Sequence, residues 1–501
     1  MMKYLSFILV LSILLSCSGG SEQGTAEPHK AADNFVGIQN DFIPVVYFDV
    51  IFKCGSVDDP AGQEGLAWHT ANYLKRGTEN YSADQIEEKL RNIGARLNIR
   101  VDREVIEISG QTLLENLEAF YQIYSEIILS PTFPADENDN IRADQEQALK
   151  DIIRDDSRLS LAVLQNTIYA GTPAAHPVAG YFSAIEKLTP AQAKDFYKQH
   201  FVKANLLYGL AGSYSDEFAE RFKADLNKLA QGSPTRRANQ NMPERKRRVV
   251  LVNKEGRDQA QIRIGETVAY DRNDPLWYAL LVGNSYLGEH RESFNRLYTT
   301  IRTQRGMSYG AYSYLEHFEQ AGWSKDKRAL IPFTPQYFST WTYPRLWNTE
   351  FAVKMTVHEI RKLLKDGLPE EKLDQIKNFQ INHFPFLIES PPQRLTVELE
   401  EKYYNQDDFI ETFADKIRTV TNADILRAVQ KYWNVDDLTI VVVCSEAEKM
   451  KQELLTVETE LTLPPGASSE GLEEVNQTVE NIDLQFTPDE IEIVNAEELF
   501  H

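Results

Sequence analysis

Cysteine is scarce in this chain: its 501 residues hold three, at positions 17, 54 and 444. Cys54 and Cys444 stand in opposite halves of the sequence, too isolated for a disulfide framework or a Cys-type zinc site, so both read as buried free thiols. Histidine is spread as thinly. The closest two of the nine, His176 and His200, lie 24 positions apart, so no helix carries the pair of imidazoles that most often holds a catalytic zinc. No glycine-rich loop stands between a strand and a helix, which removes the usual cradle for nucleotide phosphates. Positive charge is also in deficit, with 53 Lys and Arg against 75 Asp and Glu and a formal charge of −22. Nucleic-acid backbones and anionic lipid faces both recruit clustered cations, so neither is expected as a partner. The one basic run, Arg245-Lys246-Arg247-Arg248, falls in a polar stretch and reads as part of a solvated linker.

What is present is a globular composition, 42% hydrophobic and 11% aromatic, on a chain too long for one ordinary domain. The start is specific. Met1-Met2-Lys3 precedes an apolar run from Tyr4 to Leu15 and then Ser16-Cys17-Ser18-Gly19-Gly20, the pattern of an export signal, too short to span a bilayer. Leu14-Leu15-Ser16-Cys17 resembles a bacterial lipobox. That resemblance implies a lipoprotein signal peptide over 1–17, lipidation at Cys17, a small-residue tether over 18–34, and a lipid-anchored place in the bacterial cell envelope, on a periplasmic or outer-membrane face.

The body alternates strand and helix signals. Pro44–Phe52 is β-branched and aromatic, Ser82 caps a helix ending at Gly94, and strands run through Arg96–Arg100 and Val105–Gln111. Helical periodicity covers Leu114–Ile128 and the charged stretch Glu137–Arg154, and an Ala/Tyr/Gly/Pro-rich loop is expected from there to Gly180. A unit then appears twice: Leu188-Thr189-Pro190 opens a capped helix leading to the strand Asn205–Gly212, and Val420-Thr421-Asn422 opens another leading to Asp437–Ser445. The repeat implies an α+β fold of two homologous halves, each a mostly antiparallel sheet packed with helices, over 35–231 and 249–460 with a linker at 232–248. In the second half, strands are expected at Arg248–Asn253 and Gln261–Tyr270, and helices at Leu276–Leu287, Phe294–Arg305, Trp347–Asp366 and Glu370–Phe384. The tail, 461–501, has ten acidic residues and no Lys or Arg; it reads as an extended arm in which Ile482–Phe486 and Ile491–Val494 permit a strand or docking segment.

One nucleophile pattern is present by letter. Gly306-Met307-Ser308-Tyr309-Gly310 fits G-x-S-x-G, but a helical pattern precedes the serine and a strand follows it, the reverse of the context that lifts a nucleophilic serine above a sheet.

The chemistry turns instead on Gly65-Leu66-Ala67-Trp68-His69-Thr70-Ala71-Asn72-Tyr73-Leu74-Lys75-Arg76-Gly77-Thr78, with Gly55-Ser56 and Asp59-Pro60 ahead of it. These segments resemble the insulinase/pitrilysin family, inverzincins with an H-x-x-E-H signature, and the resemblance runs from about Phe35 to Ser445. In that register Trp68 stands at the first zinc-ligand position, Ala71 at the general base, Asn72 at the second ligand, and Leu149 near the third. None supplies the lone pair or carboxylate those roles need. His69 lies one place late, about 100° around the helix from the ligand position, and reads as a packed or surface histidine. The second half keeps the family pattern better. Ile301-Arg302-Thr303-Gln304-Arg305-Gly306-Met307-Ser308-Tyr309 is similar to the segment in which an Arg and a Tyr seven positions apart reach toward substrate. The resemblance implies a chain that binds no cofactor and cleaves nothing alone, contributes Arg302 and Tyr309 as peptide-binding residues, and acts with a zinc-bearing homologous subunit as a metalloendopeptidase. A competing reading keeps the fold and drops proteolysis, leaving a lipid-anchored binding or scaffold protein.

Overall fold

Val45–Phe52 is β-branched or aromatic at seven of its eight positions, and it forms the middle strand of the first sheet. That sheet comprises β1 (Phe35–Gln39), β2 (Val45–Phe52), β3 (Arg96–Val101), β4 (Ile106–Leu113) and β5 (Leu206–Gly212), ordered β1-β5-β2-β4-β3. Only β1 and β5 run parallel. The second sheet comprises β6 (Arg248–Asn253), β7 (Gln261–Val268), β8 (Ser308–Tyr314), β9 (Gln336–Pro344), β10 (Thr439–Cys444) and β11 (Ile491–Asn495), ordered β11-β6-β10-β7-β9-β8. The computed structural model describes residues 34–235, 242–316, 332–406, 408–456, 459, 461–463 and 470–501. The expected signal peptide, Cys17 and all of the tether before Asn34 lie outside the described residues.

Strand for strand, β6-β10-β7-β9-β8 repeats β1-β5-β2-β4-β3, with the same single parallel pair. The two copies of the sequence unit occupy equivalent places. Pro190–His200 is a helix whose Thr189 hydroxyl accepts from the Gln192 amide at 3.3 Å, and Asn422–Tyr432 is one whose Thr421 hydroxyl accepts from the Asp424 amide at 3.2 Å. Each leads into a buried strand, β5 or β10, and both free thiols are buried; burial pushes that of Cys444 up to about 12.

Four expectations are corrected. The stretch after Arg154 is not a loop to Gly180: Asp156–Ile168 is a helix, capped by the Asp155 carboxylate, which accepts from the Ser157 and Arg158 amides at 3.0 Å. Its apolar face of Leu159, Val163, Leu164 and Ile168 packs on Val250, Val252, Val441 and Val443, on the far side of the second sheet from that sheet's own helices. The favour is returned by the helix Pro391–Tyr404, whose Leu395, Leu399 and Tyr403 cover Val36, Ile51, Leu207 and Ala211 of the first sheet. A glycine opens the sheet beneath each borrowed helix. A Cβ at Gly209 would stand 2.5 Å from Leu395 Cδ1, and one at Gly265 would stand 3.1 Å from Leu164 Cδ2. Glu104, on the turn between β3 and β4, adds a polar link by accepting from the backbone amides of Phe333 and Thr334 in the second half.

The described part of the tail is more than an extended arm, and the strand allowed at Ile491–Val494 is present. Glu473–Glu480 is a helix, and β11 adds a sixth strand parallel to β6, with Ile491 buried. Nor is the basic run only solvated. Arg245 pairs with the buried Glu266 at 3.0 Å, and Arg247 donates to the Leu484 carbonyl while its guanidinium lies 4.3 Å from the Phe486 ring. Arg247 thereby holds the acidic tail, and Arg245 the second sheet. Finally, the expected helix over Phe294–Arg305 is a π-helical turn, Tyr298–Thr303.

Because the Asp156–Ile168 helix belongs to the core of both halves, Leu164→Ala should destabilise the chain by about 2–5 kcal/mol. Chemical denaturation should show one transition moved to lower denaturant, not a split into two.

Candidate functional site

The frame around the motif helix is kept by backbone requirements. Leu66–Tyr73 forms an α-helix, and Asp59, whose side chain is shut off from solvent, accepts from the Gly65 amide at 2.6 Å and the Ala67 amide at 2.7 Å. A carboxylate there satisfies amides that the helix itself leaves unpaired and faces the positive end of its dipole. Gly65 adopts φ +99, and a Cβ would lie 2.4 Å from Gln145 Nε2 and 2.5 Å from the Ala179 carbonyl. Only glycine fits. The residues that match the family frame therefore match it for reasons of folding, independent of metal.

The positions that would hold metal are packed instead. Trp68 lies against a cluster of Leu149, Ala179 and Ile185, so the expected first ligand position and the residue near the expected third, far apart in sequence, share one apolar contact region. Ala71 is wholly buried in the first half's core. Asn72 turns its amide back along its own helix, donating to the Trp68 carbonyl at 2.8 Å. An indole, a methyl, an isobutyl and a committed carboxamide do not fit a zinc ion, and among the described residues no three His, Cys, Asp or Glu side chains converge as a metal site.

His69 is fully buried, as a packed histidine. Its Nδ1 lies 3.0 Å from Gln145 Oε1 and its Nε2 3.1 Å from Asn138 Oδ1, and the Tyr73 hydroxyl donates to the same Asn138 oxygen at 2.8 Å. Gln145 in turn donates to the carbonyls of Gly65 and Ala179 at 2.9 and 2.7 Å. This network ties the motif helix to the helix Asn138–Arg154 and is invisible to a search for ligands; its only sequence signal is the four-residue spacing that puts Gln145 and Leu149 on one face. Burial lowers the His69 pKa, against the opposing pull of the two amide oxygens.

The second pair is arranged differently. Arg302 lies over two tyrosine rings, its guanidinium carbon 4.0 Å from the Tyr309 centroid and 4.8 Å from that of Tyr298. Arg302 makes no ion pair among the described residues, and Tyr309, at the start of β8, is 67% exposed. Behind them stand the buried Tyr312 and Tyr314, packed with Trp341 and Tyr343 on the same strand pair. Burial raises the phenols of Tyr312 and Tyr343, which keeps them protonated as donors. Ser308 is no nucleophile: its hydroxyl donates to the Gly310 carbonyl at 2.8 Å and accepts from the Tyr343 amide at 3.2 Å, pinning a bulge in β8.

Two repeated sheet-and-helix halves, one with the frame of an inverted zinc motif but not its donors, define a chain of metallopeptidase fold with no metal-binding cluster among the described residues. Residues 35–180 match the family described as insulinase (peptidase family M16), and residues 187–379 match the peptidase M16 inactive domain. The chain belongs to the insulinase family. It is similar to the non-peptidase homolog YmxG of Helicobacter pylori, 21% identical over 81% of this chain and 91% of that protein. An uncharacterized zinc protease of Mycobacterium bovis is 23% identical over 59% of this chain and 68% of that protein. In fold, a peptidase M16 inactive domain from Pseudomonas fluorescens superposes with a TM-score of 0.72 at 22% identity, over 82% of this chain and 95% of that one.

A histidine held neutral by burial contributes stability that is complete above its unfolded pKa of about 6.5 and is lost as pH falls below it, because the unfolded chain then binds the proton more readily. His69→Gln should therefore flatten part of the fall in melting temperature between about pH 7 and pH 5, and in the unaltered chain the His69 imidazole NMR resonance should titrate below the usual histidine range.

Proposed function

We propose that this chain is the zinc-free subunit of a two-chain insulinase-family peptidase, supplying Arg302 and Tyr309 to a peptide-binding site completed by a zinc-bearing homologue. The observation that carries the reading is the contrast between the two halves. At the vacated ligand positions every side chain is consumed by packing or by its own helix, whereas Arg302 and Tyr309 are stacked, unpaired with any acid among the described residues, and open at Tyr309 to 67% of its surface. A guanidinium stacked on its faces keeps its edge N–H groups for an acceptor, and a peptide carbonyl is such an acceptor. A phenol beside it can donate to the oxygen that gains charge when water adds to that carbonyl. The proton acceptor for the water has no candidate at Ala71, so that role falls to the homologous subunit.

The lipobox-like start supports a place for this assembly in the bacterial cell envelope, with the lipid on Cys17 and the folded body leashed by the tether. The scaffold reading uses the same fold and anchor, and one experiment separates the two. In a complex reconstituted with a zinc-bearing homologue, Arg302→Ala and Tyr309→Phe should each lower kcat/KM on the order of a hundredfold with assembly unchanged. Unchanged turnover favours a scaffold. The isolated chain should hold no stoichiometric zinc, and robust chelator-sensitive cleavage by it would overturn the proposal.

A further inference from the structure

The turn that bears Arg302 and Tyr309 is braced by the acidic tail. Between the two residues lies Arg305, whose side chain is wholly inside the protein. Its Nε and Nη2 both donate to Asn476 Oδ1, at 2.9 and 2.7 Å, and its Nη1 donates to the Thr300 carbonyl at 2.8 Å and to Gln304 Oε1 at 3.2 Å. No carboxylate pairs with Arg305 among the described residues. The acceptor that collects two of its donors is therefore a single neutral oxygen on the tail helix Glu473–Glu480, where Asn476 is itself buried.

That helix is seated firmly enough to act as a support. It lies on the helix Thr349–Asp366, whose buried Lys354 donates to the Glu480 carbonyl at 3.2 Å. Just upstream in the tail, Asn348 and Thr462 exchange hydrogen bonds at 2.8 and 3.2 Å.

What it supports is a conformation that needs support. Tyr298–Thr303 is π-helical, and the chain leaves it through Gln304 N to Thr299 O at 2.9 Å, Met307 N to Ile301 O at 3.0 Å and Gly306 at φ +61. Single π turns are rarer and less well bonded than α turns, and they persist where surroundings hold them. The register of this one sets where Arg302 emerges relative to Tyr298 and Tyr309. The Thr300 carbonyl, inside the turn, is gripped by the same guanidinium that Asn476 orients.

We infer that Asn476 is a positioning residue for the Arg302–Tyr309 pair: through Arg305 it fixes the π turn that stacks Arg302 between the two tyrosine rings. The inference gives the acidic tail a task in the second half's site, and it rests on the reading of that pair as a peptide-binding site.

The test is hydrogen exchange on the intact chain, together with binding of fluorescein-labelled casein followed by anisotropy. In Asn476→Ala the amides of Gln304, Gly306 and Met307 should exchange about tenfold faster or more, as expected for a charged group that loses two hydrogen bonds, while β7 and β10 stay as protected as before. Casein affinity should fall about tenfold with them. Asn476→Asp, which keeps an acceptor in reach of Arg305, should restore both, a rescue that a mere cavity effect would not show. Unchanged exchange at the turn overturns the inference, and so does equal loosening across the whole second half. If the turn responds but the unaltered chain binds no casein, the positioning role stands and the peptide-binding reading of the pair falls.

Discussion

Neither sheet of this protein covers both of its faces with helices from its own half, and the rest of the structure follows from that shortage. Each sheet buries one face under its own helices, and each borrows one helix for the other: Asp156–Ile168 for the second sheet, Pro391–Tyr404 for the first. Apolar strand residues left facing water would forfeit about 25 cal/mol for every Å² not buried, so the exchange joins the halves by the same force that folds each one. A side chain at Gly209 or Gly265 would crowd Leu395 or Leu164 of the borrowed helix as well as the Val36 or Phe338 carbonyl of the sheet itself. The described residues from Asn34 onward accordingly form one unit.

A scaffold held in this way does not depend on a metal. The motif helix is fixed at its start by Asp59 and Gly65 and along its side by His69, Gln145 and Asn138, and none of these is a ligand position. Removing donors at Trp68 and Leu149 leaves a space that must be filled, because an unsatisfied polar group or a void there would cost stability. Indole and isobutyl groups meeting the same cluster fill it. Trp68 and Leu149 are thus packed into one cluster, with the surrounding frame intact.

The second sheet departs from the repeat at its edge. Among the described residues β11 has no counterpart in the first half; it forms the edge opposite β8, while Glu473–Glu480 sets Asn476 against Arg305. The acidic tail and the basic run at Arg245–Arg248 are complementary parts of this device: Arg247 holds Leu484 and Phe486, while Arg245 neutralises the buried Glu266, whose pKa burial raises to about 7.

The sequence by itself determined the features written in short-range code. Capping at Thr189 and Thr421 acts over three residues, strand alternation over two, and the frame of Asp59 and Gly65 over six, so the two-half α+β plan was legible, and with it the spacings on which the roles proposed for Arg302 and Tyr309 rest. Tertiary structure alone decided the helix exchange, the seating of the tail and the bracing of Arg305 by Asn476, which lies 171 positions away. Such contacts are made by side chains whose local pattern is indifferent to the partner. An apolar face reads the same whether it covers its own sheet or the other half's, and an acidic segment reads as solvated until a distant cation claims it.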